Sequence, residues 1–197
     1  MPSFAKGIAL LLVSLSILHP VAGDVSPRAE NQHDCGNDHQ CLLHKPGPEH
    51  FGFLLPRAFS VLDVFGPVEV FQALSRQTHL KLSLLSRTLE PARTEPVSGA
   101  MNPFNSSFFP AVMPTHTYED DPPIDVLVIP GGLAARSPDL GPEIEYIRKV
   151  FPRLQYLITI CTGAGIAAQS GVLDGHRATT NKAAWDQITA MGPNVKW

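Results

Sequence analysis

Residues 156–186, YLITICTGAGIAAQSGVLDGHRATTNKAAWD, decide the fold, because an apolar run ends there at Cys161 and a glycine-rich run begins at once. The run up to Ile160 has the length and β-branched content of a buried strand, and GAGIAAQS has helical character. Cys161 therefore stands on a strand-to-helix elbow. A free cysteine is commonly a small buried hydrophobe. Its position suggests another role, since a core cysteine belongs inside the apolar run, whereas a helix N-terminus favours an anion and so activates a thiol. Gly163 and Gly165 let the chain turn tightly around it.

Upstream, IDVLVIP (residues 124–130) is an uninterrupted apolar run, as expected of a central strand covered on both faces. Gly131 and Gly132 end it, and their bare N–H groups suit the binding of an oxyanion. FGFLL (residues 51–55) reads as an earlier strand. The segment SVLDVFGPVEVFQALSR follows, with Val64, Val68, Phe71 and Leu74 at helical spacing. Gly66 and Pro67 predict a helix that starts just after Asp63, with Pro67 in its first turn and Asp63 as a capping carboxylate. LKLSLLSRT reads as the next strand, and the Pro-, Ser- and Asn-rich stretch after it as loops and hairpins. Ile144, Ile147 and Val150 mark a helix, and LQYLITI the strand that leads to Cys161. The order β, α, β, loop, β, α, β, α predicts a doubly wound α/β sheet with its site at the carboxyl ends of the strands. The loop with Asp63, Gly131-Gly132 and Cys161 then converge from three strands.

The 197 residues, 44% hydrophobic and 17% charged with net charge −3, suit one globular domain. The scattered Lys and Arg residues give no electrostatic footprint for nucleic acid or an anionic membrane. At the N-terminus, Lys6 precedes GIALLLVSLSIL, and Val21-Ala22-Gly23 follows, the pattern of a cleaved secretory signal over residues 1–23. The apolar run of about 12 residues falls short of the roughly 20 that span a bilayer. Export predicts a secreted protein with Asp24 as its mature start. In the polar leader of residues 24–50, Cys35 and Cys41 are candidates for a disulfide that leaves Cys161 unpaired. His33, His39, His44 and His50 flank that pair, but their spacing matches no compact zinc pattern. Asn105-Ser106-Ser107 is an acceptor sequon for a surface glycan. His116 and His176 receive no role, and no motif requires a metal or organic cofactor.

Four blocks, LDVFGPVEVF, DVLVIPGG, ITICTGAGIAAQSGVLDG and RATTNKAAWD, together resemble the ThiJ/PfpI family, which contains Parkinson disease protein 7, within the class I glutamine amidotransferase-like superfamily. The likeness runs from about residue 51 to the end and looks closest to the isonitrile hydratase-like branch. It implies a flavodoxin-like sandwich, a nucleophilic Cys161, an acidic partner at Asp63, a contributing Thr162 hydroxyl, and an oxyanion hole from Gly131-Gly132 with the Thr162 backbone. A small-molecule substrate and a homodimer are further implications. Thr162 stands where protease-like members carry a histidine, so a Cys-His peptidase is not implied. The family's matching regions normally continue past the block ending NVKW, so the domain over residues 51–197 is expected to be C-terminally shortened. Hydration of an isonitrile, a glyoxalase or deglycase reaction, a non-catalytic redox-sensing or binding module, and a truncated inactive family member are the alternatives that follow. The block ATTNKAAWD carries Asn181 and Lys182, which either shape the site or simply begin a surface helix.

Overall fold

A computed structural model of the chain describes residues 15–18 and 47–197. The leader cysteines Cys35 and Cys41 and most of the expected signal segment lie outside the described residues. The strands are β1 (Leu15–Leu18), β2 (His50–Leu54), β3 (Lys81–Ser86), β4 (Ala92–Arg93), β5 (Ala111–Val112), β6 (His116–Thr117), β7 (Val126–Ile129) and β8 (Tyr156–Ile160). The helices are α1 (Val61–Leu74), α2 (Gly141–Val150), α3 (Gly163–Gln169) and α4 (Trp185–Thr189).

Six strands form the main sheet in the order β1-β8-β7-β2-β3-β6. The β8-β7-β2-β3-β6 pairs are parallel, and β1 adds to the β8 edge antiparallel, Leu15 opposite Ile160. This edge strand lies within the segment read as the export signal. β4 and β5 form a separate antiparallel ribbon, the hairpin expected of the Pro-rich stretch.

Alternation along the strands separates the core into two layers. Leu127, Ile129 and Leu157 face a layer with Ile147, Ile166 and Ile188, which come from α2, α3 and α4. Val126, Val128 and Ile160 face the other, with Phe51, Phe53 and Val64 of α1. All four residues of β7 are buried, as its continuous apolar run requires. The chain leaves β2 through α1 toward β3, then returns to build β7 and β8 on the opposite side. The crevice between the carboxyl ends of β2 and β7 is thus the topological switch point of a doubly wound sheet.

α1 departs from expectation at its start. It begins at Val61, so Asp63 lies inside its first turn and Pro67 falls within the helix. Asp63 caps nothing. Its side chain is turned inward, and Pro67, lacking an N–H, leaves the Asp63 carbonyl without its usual partner four residues on. Val64, Val68 and Phe71 pack against the core as the spacing predicts, whereas Leu74 at the end of that stripe is exposed. Among the described residues no helix is long and apolar enough to cross a membrane.

Candidate active site

The loop after β2 and the loop after β7 are zipped together before any side chain is considered. Ser60 N–H donates to the Gly131 carbonyl at 2.9 Å, and Ala134 N–H to the Ala58 carbonyl at 3.1 Å. The approach leaves no room for side chains on one loop. A Cβ on Gly132, whose φ is 105°, would come within 2.6 Å of the Ser60 nitrogen. The elbow after β8 closes on the same loop. A Cβ on Gly131 would lie 2.6 Å from the Thr162 nitrogen and 2.9 Å from the Cys161 Cβ, and one on Gly163 would lie 2.3 Å from the Ile129 carbonyl oxygen.

Cys161 sits at φ 55°, in the left-handed region that L-residues avoid at a cost of about 1–2 kcal/mol. Such strain persists where the surroundings over-determine it. Here the Thr180 hydroxyl, almost fully buried, donates to the Cys161 carbonyl at 3.0 Å. The Cys161 thiol is half-buried, and the Asn181 amide Nδ2 donates to its Sγ at 3.1 Å.

Asp63 is 2% exposed, and its Oδ2 accepts the Gly131 N–H at 2.9 Å. Its Oδ1 is buried with no hydrogen-bond partner among the described residues. Burial pushes the carboxyl above its ordinary value, against the pull of the Gly131 N–H and the Ser60 hydroxyl. An uncapped, buried acid with one vacant oxygen is suited to carry a proton and to give it up. Gly131 joins the two groups, with its amide on Asp63 and its α-carbon against Cys161.

The expected donors Gly131 and Gly132 have other work in this geometry. Gly131 N–H is committed to Asp63, and Gly132 N–H donates to Thr162 Oγ1 at 3.0 Å. The Thr162 hydroxyl in turn donates to the Gly132 carbonyl at 2.9 Å. The Gly131-Gly132 pair and the Thr162 hydroxyl therefore act as mutual ties between β7 and β8. To serve a developing anion, either would have to leave a bond it already makes.

The structure brings Asp63, Gly131, Gly132, Cys161 and Thr162 together, adds Thr180, to which the sequence assigned no role, and adds Asn181, which the sequence left open between shaping the site and starting a helix. Asn105 lies apart, exposed at φ 48° in the loop before β5. Among the described residues no cluster of His, Cys, Asp or Glu could hold a metal ion. A cavity of about 580 Å³ opens near the ends of β2 and β3, lined by Arg57, Arg87, Arg93, Asp139 and Glu143 among others. Arg87 is saturated there, with Nε and Nη2 on the two oxygens of buried Glu143 at 2.8 and 2.6 Å and Nη1 on Asp139 at 2.6 Å. Neither Cys161 nor Asp63 lines that cavity; the candidate site is the elbow, where Cys161 and Asp63 both pack against Gly131.

Comparison with known proteins bears on the family and the fold. The model of the DJ-1/PfpI family matches residues 52–196. An isonitrile hydratase of Pseudomonas putida is 33% identical over 144 residues, covering 72% of this chain and 56% of that protein. The chain thus spans little more than half the length of that relative. A crystal structure of a ThiJ/PfpI family protein from Pseudomonas syringae superposes with TM-score 0.60 at 26% identity, covering 77% of this chain and 57% of the other. An AraC family transcriptional regulator from Pseudomonas putida shares the fold at 19% identity and TM-score 0.52, with coverages of 76% and 75%.

The Asp63 assignment yields a pH test with a definite sign. As pH rises from about 4, an unfolded Asp releases its proton before the buried one does, so the folded state holds more protons and loses stability. Asp63→Asn keeps an acceptor for Gly131 and removes this titration. Its thermal stability relative to the native protein should rise between pH 4 and pH 7, measured by melting at each pH. A difference that stays flat or falls would mean that Asp63 is an ordinary ionised carboxylate. Matching family block, shared fold and elbow geometry together establish that the chain belongs to the DJ-1/PfpI family.

Proposed function

We propose that the protein is an exported isonitrile hydratase-like enzyme that uses Cys161 as nucleophile and Asp63 as proton carrier. One observation supports this above the others: a strained elbow cysteine and a buried carboxyl with a raised proton affinity both pack against Gly131. The relative named isonitrile hydratase supplies the substrate class, R–N≡C.

In the reaction proposed, the Cys161 sulfur forms a bond to the terminal isonitrile carbon while the Asp63 carboxyl protonates that carbon, leaving R–N=CH–S–Cys161. Water then adds across the C=N bond, with one proton reaching nitrogen and Asp63 receiving one in return. Collapse of the carbon centre breaks the C–S bond and releases R–NH–CHO. Isonitrile plus water has become an N-substituted formamide, with thiolate and acid restored.

A second reading is a binding or redox-sensing module. It is favoured by the internal bonds that engage the Gly131 and Gly132 amides and the Thr162 hydroxyl. Turnover separates the two. Incubation with an aryl isonitrile, followed by loss of the isonitrile infrared band and appearance of the formamide, should show activity that Cys161→Ser reduces at least a thousandfold, the scale on which covalent nucleophiles contribute. Equal activity in native and variant protein would remove the nucleophile from the mechanism.

Export rests on Lys6, the apolar run after it and the small residues before Asp24. Protein secreted from a eukaryotic host should have a mature N-terminus at or within a few residues of Asp24 by mass spectrometry. An intact Met1 on purely cell-retained protein would contradict it.

A further inference from the structure

We infer that Asn181 is a further functional residue of this site, a fixed hydrogen-bond donor that presents one N–H to the Cys161 sulfur and cannot take a proton from it. The inference deepens the cysteine-nucleophile reading and rests on it.

The sequence offers Asn181 as the start of a surface helix, and the structure gives it that task together with another. Its Oδ1 accepts the Ala183 N–H at 2.8 Å and caps the turn at Lys182–Ala184. Its Nδ2 donates to Cys161 Sγ at 3.1 Å. The cap settles the orientation of the amide. Turning it over would set the NH₂ against the Ala183 N–H and the oxygen against sulfur, losing both bonds at once. The side chain is therefore locked with a donor, and no acceptor, toward the thiol.

The neighbouring Thr180 completes a clamp. Thr180 holds the carbonyl of Cys161 and Asn181 holds its sulfur, so two consecutive residues grip both ends of a residue held in a left-handed conformation. A carboxamide has no accessible protonation near neutral pH, so the partner of sulfur here is not a base. Proton transfer falls to Asp63, which also packs against Gly131. This division suits addition to an electrophilic carbon that itself takes up the proton and later returns sulfur as the leaving group. It does not suit amide hydrolysis, in which an acid beside sulfur must protonate a departing amine.

Asn181→Asp tests the donor directly, because a carboxylate retains the cap on Ala183 and turns an acceptor toward sulfur. A hydrogen bond to a charged group is strong enough that its loss should slow alkylation of Cys161 by iodoacetamide at pH 7 about tenfold or more, with the variant still folded. Unchanged alkylation in folded Asn181→Asp would overturn the inference. Should that variant not fold, the native protein supplies the readout. The Asn181 side-chain amide resonances should shift when Cys161 is alkylated, and fixed resonances would overturn the inference equally. Alkylation needs no isonitrile, so the two claims fail separately. A slowed variant of a protein that turns over no isonitrile keeps the donor and discards the hydratase. Turnover with equal alkylation discards the donor alone.

Discussion

The close approach of two strand ends governs this molecule. At the carboxyl ends of β7 and β8, Gly131 and Gly163 pack where a single Cβ would come within 2.6 Å of one backbone and 2.3 Å of the other. That contact lets Cys161 remain at φ 55°. It also brings the Gly131 amide to Asp63, so that a buried acid and the Cys161 β-carbon both pack against one glycine. The reciprocal Thr162–Gly132 bonds and the Ser60–Gly131 bond then fasten three loops into a rigid unit. A site built in this way is pre-organised by backbone, which holds geometry more tightly than flexible side chains do.

Much of this was legible in the residues. The continuous apolar runs gave β7 and β8 because strands covered on both faces need no polar alternation. Cys161 was legible from its place at the junction of a strand run and a glycine-rich helix. Asp63 was found for a partly mistaken reason. Gly66-Pro67 marked a helix start too late, since tertiary packing carried Pro67 into the helix and turned Asp63 away from a cap and into the core.

The residues left Asn181 open between shaping the site and starting a helix, and its contact with sulfur was beyond local reading. Its chemistry depends on a loop returning to the elbow 20 residues after Cys161, and no periodicity records such a return. The occupied state of the Gly131 and Gly132 amides was hidden for a similar reason. Bare N–H groups are visible in a sequence, but the acceptors that engage them come from elsewhere in the fold. Strand order supplied the converging residues Asp63, Gly131, Gly132 and Cys161, family resemblance added Thr162, and geometry then showed which of them tie the elbow together.

The proposed chemistry requires Cys161 to bond covalently to its substrate. Rapid acid quench of the protein with an isonitrile, followed by peptide mass spectrometry, addresses it most directly. The account predicts a transient adduct equal to the isonitrile mass on the peptide containing Cys161, which decays as formamide appears. Formamide formation with Cys161 unmodified at every time point would contradict it.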